Sequence, residues 1–585
     1  MDMAICGRKY IVKLAIIRHF SKSCCPYHIM SRTSLPITAY LARLLGTFVL
    51  LSHANAQAPT TAIPENILAL SIEALGGPST ISQVESVRYV GGPIYRTKGV
   101  MESYAMGQDV AVASIGRQNV SFRYEDGDIR QRIDLHHELG AYWLFARPNL
   151  EPVDYSLVLE GGNEGFAAIV EGSYSIWLPE TPPQGYLDGL LTAFVIREAE
   201  KMSPFVVSKI LSNNNYTISQ QMIGTNTWLP SVHDHVLDIS VLFHPGTFLP
   251  YVIRSLDNHP LFGPSTYDLL LTNYTRVDGI QFPTRFTTVL NNHHFIGDYT
   301  VAQVLVNPSL DAAVFAAPAN RSALQTPVRD EEYSFGEMHT WSSSYMWYGR
   351  WTRQIADFSI TQPIAGLPGV WYLNPGDVPP AYKQVVLEFE DAVVVLDATP
   401  HQSRVILQWA REILGRNVTH VWPSHHHGDH AMGLPDYVNA GAKVIVFEDA
   451  KDYYTGIREE SFITFTTDNP FVLRDGNMRA NFIHMNQSFH SFDQSYVVIT
   501  PTCIVDDSPV AVFDADHLTP RLWDVIEQAA PMELVVRLAY DRVAPEGQLF
   551  SAHEFSMPIK VVADFVGYEY PSYSPKDFRW GSGAC

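Results

Sequence analysis

Three histidines and one aspartate lie within six residues of this chain, at His425, His427, Asp429 and His430. Residues i and i+2 of an extended segment point to the same side, so His425 and His427 can bind one metal ion. Asp429 and His430 follow where the chain turns away, and they can reach a second ion a few ångströms from the first, as two-metal hydrolases require. The pattern predicts a metal centre; a His-rich surface loop or a regulatory metal site is the alternative.

The residues around this cluster carry a family resemblance. The segment Ser424–Leu434, S-H-H-H-G-D-H-A-M-G-L, resembles the H-x-H-x-D-H signature of the metallo-β-lactamase superfamily. The resemblance covers about residues 365 to 560, a third of the chain. It implies an αβ/βα sandwich with one or two metal ions, usually zinc, at the ends of its strands.

A catalytic pair of ions needs further ligands, which the resemblance places later in the chain. His490 stands just before an apolar strand, where the family has its third histidine, and His484 is its competitor. Asp516 resembles the bridging aspartate, with Asp514 as runner-up, and His553 resembles the last ligand. The loops differ from the family pattern, because G-H-T-P-G is F-H-S-F-D here and G-H-G is A-H-E-F.

Three more carboxylates accompany these ligands. Asp397 matches by position an aspartate that supports a ligand in the family. Asp493 and Glu554 are extra carboxylates, either partners of imidazole N–H groups or solvated charges.

The elements before the cluster are legible in the sequence. Gln384–Phe389 and 392–396 predict a hairpin, and Thr419–Trp422 predicts the strand that delivers the histidines. Between them, Thr399-Pro-His-Gln402 predicts a capping box with proline at the first helical position. The helix that follows should bury one face, which carries Val405, Trp409 and Ile413.

The sequence as a whole predicts an α/β fold, with an antiparallel β-rich domain before the αβ/βα sandwich. Short strands in the segment 231–318, the first of them over Val236–Phe243, alternate with Gly, Pro and Asn and indicate a meander or half-barrel. Before them, the sequence predicts a short helix over Pro64–Leu75 that ends at Gly76 and Gly77. The pattern N-Y-x-R-V-D-G-I-x-F-P at Asn273–Pro283 is similar to lipoprotein-carrier-like domains. The predicted divisions are a leader (1–56), the β-rich domain (57–318), a linker (319–366) with Trp341, Trp347 and Trp351, the catalytic domain (367–565) and a tail (566–585).

Composition restricts the partners and the compartment. A formal net charge of −21 without clustered Lys and Arg argues against nucleic acid. Residues 30–57 read as a secretory signal peptide, so no integral membrane segment is expected in the mature chain. Only Cys503 and Cys585 follow the leader, and their pairing stays open. Six N-x-S/T sequons, at Asn119, Asn215, Asn273, Asn320, Asn417 and Asn486, predict a secreted glycoprotein.

Together the chemistry and the resemblance predict a hydrolase. The resemblance implies one ion on His425, His427 and His490, a second on Asp429, His430 and His553, and Asp516 between them. Metal-activated water would attack an ester, thioester, lactone or related bond of a small organic substrate, with Asp429 orienting or deprotonating that water. The ion would be zinc, with iron or manganese as alternatives. An iron-dependent non-hydrolytic enzyme and a binding protein with a degenerate metal domain are the rival interpretations; the sequence gives no oligomeric state.

Overall fold

The structure is a computed structural model whose described part begins at Ala62. It describes residues 62–97, 114–125, 128–138, 153–162, 165–172, 185–187, 189–292, 294–319, 334–338, 353–376, 382–518, 529–554 and 556–581. The predicted leader, Asn320 and the three linker tryptophans lie outside these residues. The described part between 62 and 319 is called the N-terminal region below, and the part between 353 and 581 the C-terminal region.

The N-terminal region is organised around one large antiparallel sheet. Its strands, with the hairpin β12–β13, are β1 Ser86–Thr97, β2 Ser114–Glu125, β3 Asp128–Glu138, β4 Val153–Glu160, β5 Phe166–Gly172, β6 Gly185–Tyr186, β7 Tyr216–Ile223, β8 Thr227–Asp234, β9 Ile239–Phe243, β10 Pro250–His259, β11 Gly263–Thr272, β12 Thr275–Val277, β13 Ile280–Phe282, β14 Arg285–Leu290 and β15 His294–Val306. Among the described residues, thirteen strands pair in the order β6-β5-β4-β3-β2-β1-β15-β14-β11-β10-β9-β8-β7. The predicted antiparallel β-rich architecture is confirmed.

Helices cover one side of this sheet with their apolar faces. They are Ile67–Leu75, Pro78–Ile81, Gly189–Met202 and Val206–Asn213. Buried side chains such as Leu68, Phe194 and Ile210 share one core with Val241 and Ile253 of the sheet. The sequence interpretation missed the two later helices. The likeness to lipoprotein carriers stays a prediction.

Two predicted elements of this region have other limits in the structure. The helix expected from Pro64 begins at Ile67 and ends before Gly76, whose φ of 143° only glycine adopts easily. The strand expected over Val236–Phe243 begins at Ile239, because residues 235–238 form the turn between β8 and β9. Asp238 has φ 52°, and Val236 and Leu237 donate their backbone N–H groups to the Asp234 carboxylate.

The C-terminal region is a sandwich of two sheets. The first holds β16 Ser359–Thr361, β17 Val370–Asn374, β18 Gln384–Glu388, β19 Val393–Leu396, β20 His420–Trp422, β21 Lys443–Phe447 and β22 Phe462–Phe465, paired in that order. The second holds β23 Phe471–Arg474, β24 Met478–His484, β25 Ser495–Pro501, β26 Ala511–Phe513, β27 Gln548–Phe550 and β28 Met557–Pro558. The α-helices of the C-terminal region are Gln402–Trp409, Gly428–Ala431, Leu434–Asn439, Ala529–Tyr540 and Ile559–Val566. The predicted α/β sandwich is confirmed.

The composition of the central strands explains why they are inside. Val393 to Leu396 form a continuous apolar run, and each of these residues is 0% exposed. Such a run is typical of a strand covered on both faces, and β19 pairs in parallel with β20. Trp422 at the end of β20 lies against Phe482 and Phe513 of the second sheet, with ring centroids 5.8 and 6.1 Å away. The two sheets therefore meet next to the histidine cluster.

The predicted hairpin and the predicted strand at 419–422 are confirmed, but the capping box between them is wrong. The helix begins at Gln402, and its N-cap residue is His401, with φ 59° and no side-chain cap. The side-chain amide of Gln402 instead donates to the backbone carbonyl of Tyr382 at 2.6 Å. Ile413 is 66% exposed, because the α-helix ends at Trp409 and continues as a wider π-helical turn over Ala410–Leu414.

The two regions share a core. Leu261, Tyr267, Leu290 and Ile296 of the N-terminal sheet belong to the same buried apolar cluster as β18 and β19. The predicted domain limits stay predictions. Within the described residues, no helix is both long and apolar enough to cross a membrane.

Candidate metal centre

Most of the predicted ligands follow the carboxyl ends of strands. His425, Asp516 and His553 each come three residues after the last residue of β20, β26 and β27 respectively. Asp429 and His430 lie in the short helix Gly428–Ala431, which begins directly after His427. His490 lies in the connection between β24 and β25. Both sheets thus deliver side chains to one edge of the sandwich.

Asp516 lies at the centre of this edge, and its two oxygens face different histidines. Its Oδ2 atom is 2.8 Å from Nε2 of His490 and 3.3 Å from Nε2 of His425. Its Oδ1 atom is 2.8 Å from Nε2 of His430 and 2.6 Å from Nε2 of His553. A carboxylate arranged in this way can bridge two ions.

The other two predicted residues complete two groups of donor atoms. The His427 ring lies 4.3 Å from the His425 ring and 4.8 Å from the His490 ring, between centroids. Asp429 Oδ2 is 3.2 Å from Nε2 of His430. Within each group the donor atoms lie within 4.8 Å of one another: His425, His427, His490 and Asp516 in the first, and Asp429, His430, Asp516 and His553 in the second. The structure brings all seven predicted residues together.

The donor atoms fit a metal ion by their chemistry and burial. Imidazole nitrogens and carboxylate oxygens are zinc ligands, and iron and manganese accept the same atoms. Asp429 Oδ1 is buried and has no hydrogen-bond partner among the described residues, although a buried carboxylate oxygen normally has one. Six of the seven residues are buried, and the His553 side chain is 18% exposed, so the second group is the one nearer to solvent.

The electrostatics of the site favour a cation beside the carboxylates. Burial raises the pKa of Asp516, but the imidazoles of His430 and His553 outweigh this effect and hold that pKa well below its usual range. Burial lowers the pKa of His430, yet the carboxylates of Asp429 and Asp516 raise it well above its usual value. At His425, burial and the neighbouring His427 lower the pKa well below normal, which favours the neutral ring that binds metal.

Polar contacts fix the orientation of the ligand rings. His430 Nδ1 lies 2.9 Å from Asp397 Oδ2, and the Ser424 backbone N–H donates to Asp397 Oδ1. His425 Nδ1 lies 3.0 Å from Ser424 Oγ. These contacts occupy the Nδ1 atoms, so the Nε2 atoms of both rings point toward Asp516. Asp397 thus lies where the resemblance implies.

The structure also separates the alternatives left open by the sequence. His484 lies away from the cluster, because its ring stacks on Phe447 at 3.7 Å and its Nε2 faces the Phe492 carbonyl. Asp514 is outside both donor groups and contacts His517 at 3.0 Å. Asp493 is buried and pairs with His426, and Glu554 is 5% exposed, so neither carboxylate is a solvated charge.

Sequence reasoning missed a second set of polar residues that supports the ligand loops. Glu533, on the helix Ala529–Tyr540, has Oε2 at 3.1 Å from both Ser488 Oγ and His517 Nε2. Ser488 Oγ accepts the backbone N–H of His490, and His517 follows Asp516 directly. The i,i+3 spacing of Asp514 and His517 was a usable signal, whereas nothing in the sequence marks Glu533.

The sequence of this region matches a known family model. Residues 383–507 match the model of the metallo-beta-lactamase superfamily. This segment is a metallo-β-lactamase superfamily domain. The matched residues include the whole first histidine cluster and His490, while Asp516 and His553 follow beyond them. No curated protein matches the chain.

Each of three solved structures to which the chain is similar covers about a third of it. A metallo-beta-lactamase from Pontibacter korlensis is 14% identical with a TM-score of 0.26, over 36% of this chain and 97% of its own. A metallo-beta-lactamase from Cronobacter sakazakii is 19% identical with a TM-score of 0.23, over 33% of this chain and 78% of its own. A flavo di-iron protein from Thermotoga maritima is 12% identical with a TM-score of 0.28, over 36% of this chain and 60% of its own.

Proposed function

We propose that this protein is a metal-dependent hydrolase that holds two zinc ions and cleaves an ester, thioester, lactone or related bond of a small organic substrate. The observation that carries the proposal is Asp516, whose two oxygens face two separate sets of histidines. A single structural ion would need one closed set of four ligands, whereas two adjoining sets are typical of two-metal hydrolases.

The proposed ligands divide between the two sets. His425, His427 and His490 hold one ion, Asp429, His430 and His553 hold the other, and Asp516 bridges them. When bound, the ions supply an activated water and polarise the bond under attack. Asp429 is the proposed catalytic residue: its Oδ1 atom is buried without a hydrogen-bond partner among the described residues, so it is available to orient that water or accept its proton.

The rival interpretations differ from this proposal in metal or in activity. A degenerate binding domain would be expected to have lost some ligands, yet all seven candidates converge here. An iron-dependent enzyme would use the same side chains, so the identity of the ion separates it from a zinc hydrolase.

Elemental analysis of the purified full chain tests the proposal, together with hydrolysis of generic esters, thioesters and lactones. We expect about two zinc ions per chain, as the two-metal mechanism requires. In His427→Ala both the zinc and the hydrolysis should be lost, whereas His136→Ala, which changes an exposed histidine of β3, should leave both unchanged. Bound iron without hydrolysis would redirect the assignment to redox chemistry, and a chain without bound metal would end it.

We also propose that the protein is secreted and glycosylated. Cys503 is disulfide-bonded, as is usual in oxidising compartments. Four sequon asparagines are exposed: Asn215, Asn273, Asn417 and Asn486. Asn119 is not among the proposed sites, because it is part-buried in the sheet and its Oδ1 accepts the Gly91 backbone N–H.

Expression in a eukaryotic secretory host tests the localisation. We expect protein in the medium, a mature chain that begins at Gln57, and a loss of mass on enzymatic removal of N-glycans. A cell-retained chain that keeps Met30 and shows no change of mass would contradict the proposal.

A further inference from the structure

A turn of the N-terminal sheet contacts the C-terminal region close to residues 424–430, which are called the metal-binding loop. This turn, residues 260–262 between β10 and β11, is called the β10–β11 turn. The Gly456 N–H donates to the Leu261 carbonyl at 2.8 Å, and Thr455 Oγ1 donates to the Phe262 carbonyl at 3.3 Å. A Cβ atom on Gly456 would lie 2.4 Å from the Gly263 nitrogen, so the two backbones touch without room for a side chain. The contact therefore has one fixed register.

Aromatic rings continue this contact to the histidine cluster. The Phe262 ring lies edge-to-face against Tyr453, with centroids 5.1 Å apart. The Tyr453 ring in turn lies 4.7 Å from the ring of His426. His426 is the residue between the candidate ligands His425 and His427. A side chain of the N-terminal region is thus two ring contacts away from the metal-binding loop.

His426 also joins two ligand-bearing segments. It is fully buried, and its Nδ1 atom lies 2.7 Å from Asp493 Oδ1 and 3.2 Å from Ser491 Oγ. Asp493 and Ser491 belong to the connection that carries His490. A shift of the His426 ring would therefore disturb both His425 and His490, which share the first donor group.

A second series of contacts links the end of β10 to His430. Asp257 of β10 accepts the Gly336 backbone N–H at 2.6 Å, and the next residue, Glu337, lies 2.8 Å from His401 Nε2. His401 closely follows Ala398, whose N–H donates to the His430 carbonyl at 2.8 Å. The end of β10 thus leads to both donor groups of the metal centre.

We propose that the β10–β11 turn positions the metal-binding loop, with Phe262 as a positioning residue that acts through Tyr453 and His426. The inference rests on the proposed function of the metal centre and assigns the N-terminal region a part in it. The N-terminal sheet holds the ligand geometry of the first donor group, in addition to stabilising the fold.

Substitutions of Phe262 in the full chain test this role. Phe262→Leu removes the ring and keeps an apolar side chain, and Phe262→Tyr keeps the ring. Leu256→Ala is the control, because it changes a 58% exposed residue of β10, the strand that leads into the turn. The readouts are the visible absorption spectrum of the Co²⁺-loaded protein, chelator competition for Co²⁺, kcat and KM, and the thermal unfolding temperature. The spectrum and the affinity report ligand geometry without relying on activity.

For Phe262→Leu we expect a changed Co²⁺ spectrum, Co²⁺ binding weaker by about tenfold or more, and a lower kcat at unchanged KM. Phe262→Tyr and Leu256→Ala should match the wild type. A Phe262→Leu chain with the wild-type spectrum and Co²⁺ affinity would overturn the proposal, even if its unfolding temperature falls, because the residue would then serve packing alone. A wild-type chain that binds Co²⁺ but hydrolyses no substrate would overturn only the hydrolase assignment.

Discussion

The N-terminal and C-terminal regions both bury charged side chains, but they neutralise them in different ways. In the N-terminal sheet, Arg254 and Asp268 form two parallel hydrogen bonds of 2.7 Å. The remaining three guanidinium donors are accepted by Asn292, the Met222 carbonyl and Gln221. In the C-terminal region, both oxygens of the Asp516 carboxylate contact imidazoles, whose charge depends on protonation. Buried charges must be paired or must coordinate metal. The first arrangement is complete within the chain, whereas the proposed metal ions would complete the second.

The largest expected effect is that of removing the shared carboxylate. Asp516→Asn takes away the charge that both donor groups face, so we expect metal to be lost from both and hydrolysis to fall to the background rate. Elemental analysis and the hydrolysis assay measure the two losses. A variant that keeps a full complement of metal would show that the two groups do not depend on Asp516, and would break the comparison.

The role proposed for Asp429 should be separable by mutation from that of Asp516. Asp429→Asn keeps an oxygen atom that can bind metal but removes the carboxylate that would accept a proton. We therefore expect kcat to fall by about 10²- to 10⁴-fold while at least one ion stays bound. The check is kcat measured alongside metal content. An unchanged kcat would remove Asp429 from the catalytic step and leave it as a ligand alone.

Breaking the Arg254–Asp268 ion pair should lower the free energy of unfolding without changing the metal content. Arg254→Ala leaves the Asp268 charge buried and unpaired, which costs roughly 3–5 kcal/mol of unfolding free energy. Urea unfolding measures this cost, and metal content per folded chain should not change. The double variant Arg254→Met/Asp268→Leu should recover most of the stability. Loss of metal in the folded single variant would show that this ion pair also supports the metal centre, and would break the comparison.

The smallest effect is expected at the carboxylate that orients a ligand. Asp397→Asn weakens the contact with His430 Nδ1, so we expect metal affinity or activity to fall by about 10- to 100-fold. Asp506→Asn, at a 73% exposed carboxylate, is the matched control. Chelator competition compares the two variants, and equal affinities would show that the orientation of His430 does not depend on Asp397.

The candidate site was predictable from sequence because its ligands follow recognisable strands. The apolar residues of β20 and β25 favoured His425 and His490 as ligands, and the family resemblance then implied Asp516 and His553. The helix start was not predictable in the same way. Thr399 and Gln402 have the residue types of a capping box, but Gln402 donates to the Tyr382 carbonyl, a tertiary contact that local spacing does not encode.

The residues that support the ligand-bearing segments could not be predicted from the sequence for the same reason. His426 looked like a spacer between two ligands, and its contacts with Asp493 and Tyr453 exist only in the folded chain. Glu533 comes from a helix that the sequence interpretation did not identify. The helices Gly189–Met202 and Val206–Asn213 were missed because neighbouring β-rich segments dominated the pattern, although their apolar faces are buried against the sheet.

The origin of the ligands in two sheets has a consequence for how the chain folds. His425 follows a strand of the first sheet, whereas Asp516 and His553 follow strands of the second. Contacts between residues so far apart in the chain carry a high entropic cost and are slow to form. The proposed metal ion would therefore meet an incomplete set of ligands during the early steps, and it would stabilise only the assembled sandwich. We expect chains made without metal to fold first and to take up their ions afterwards.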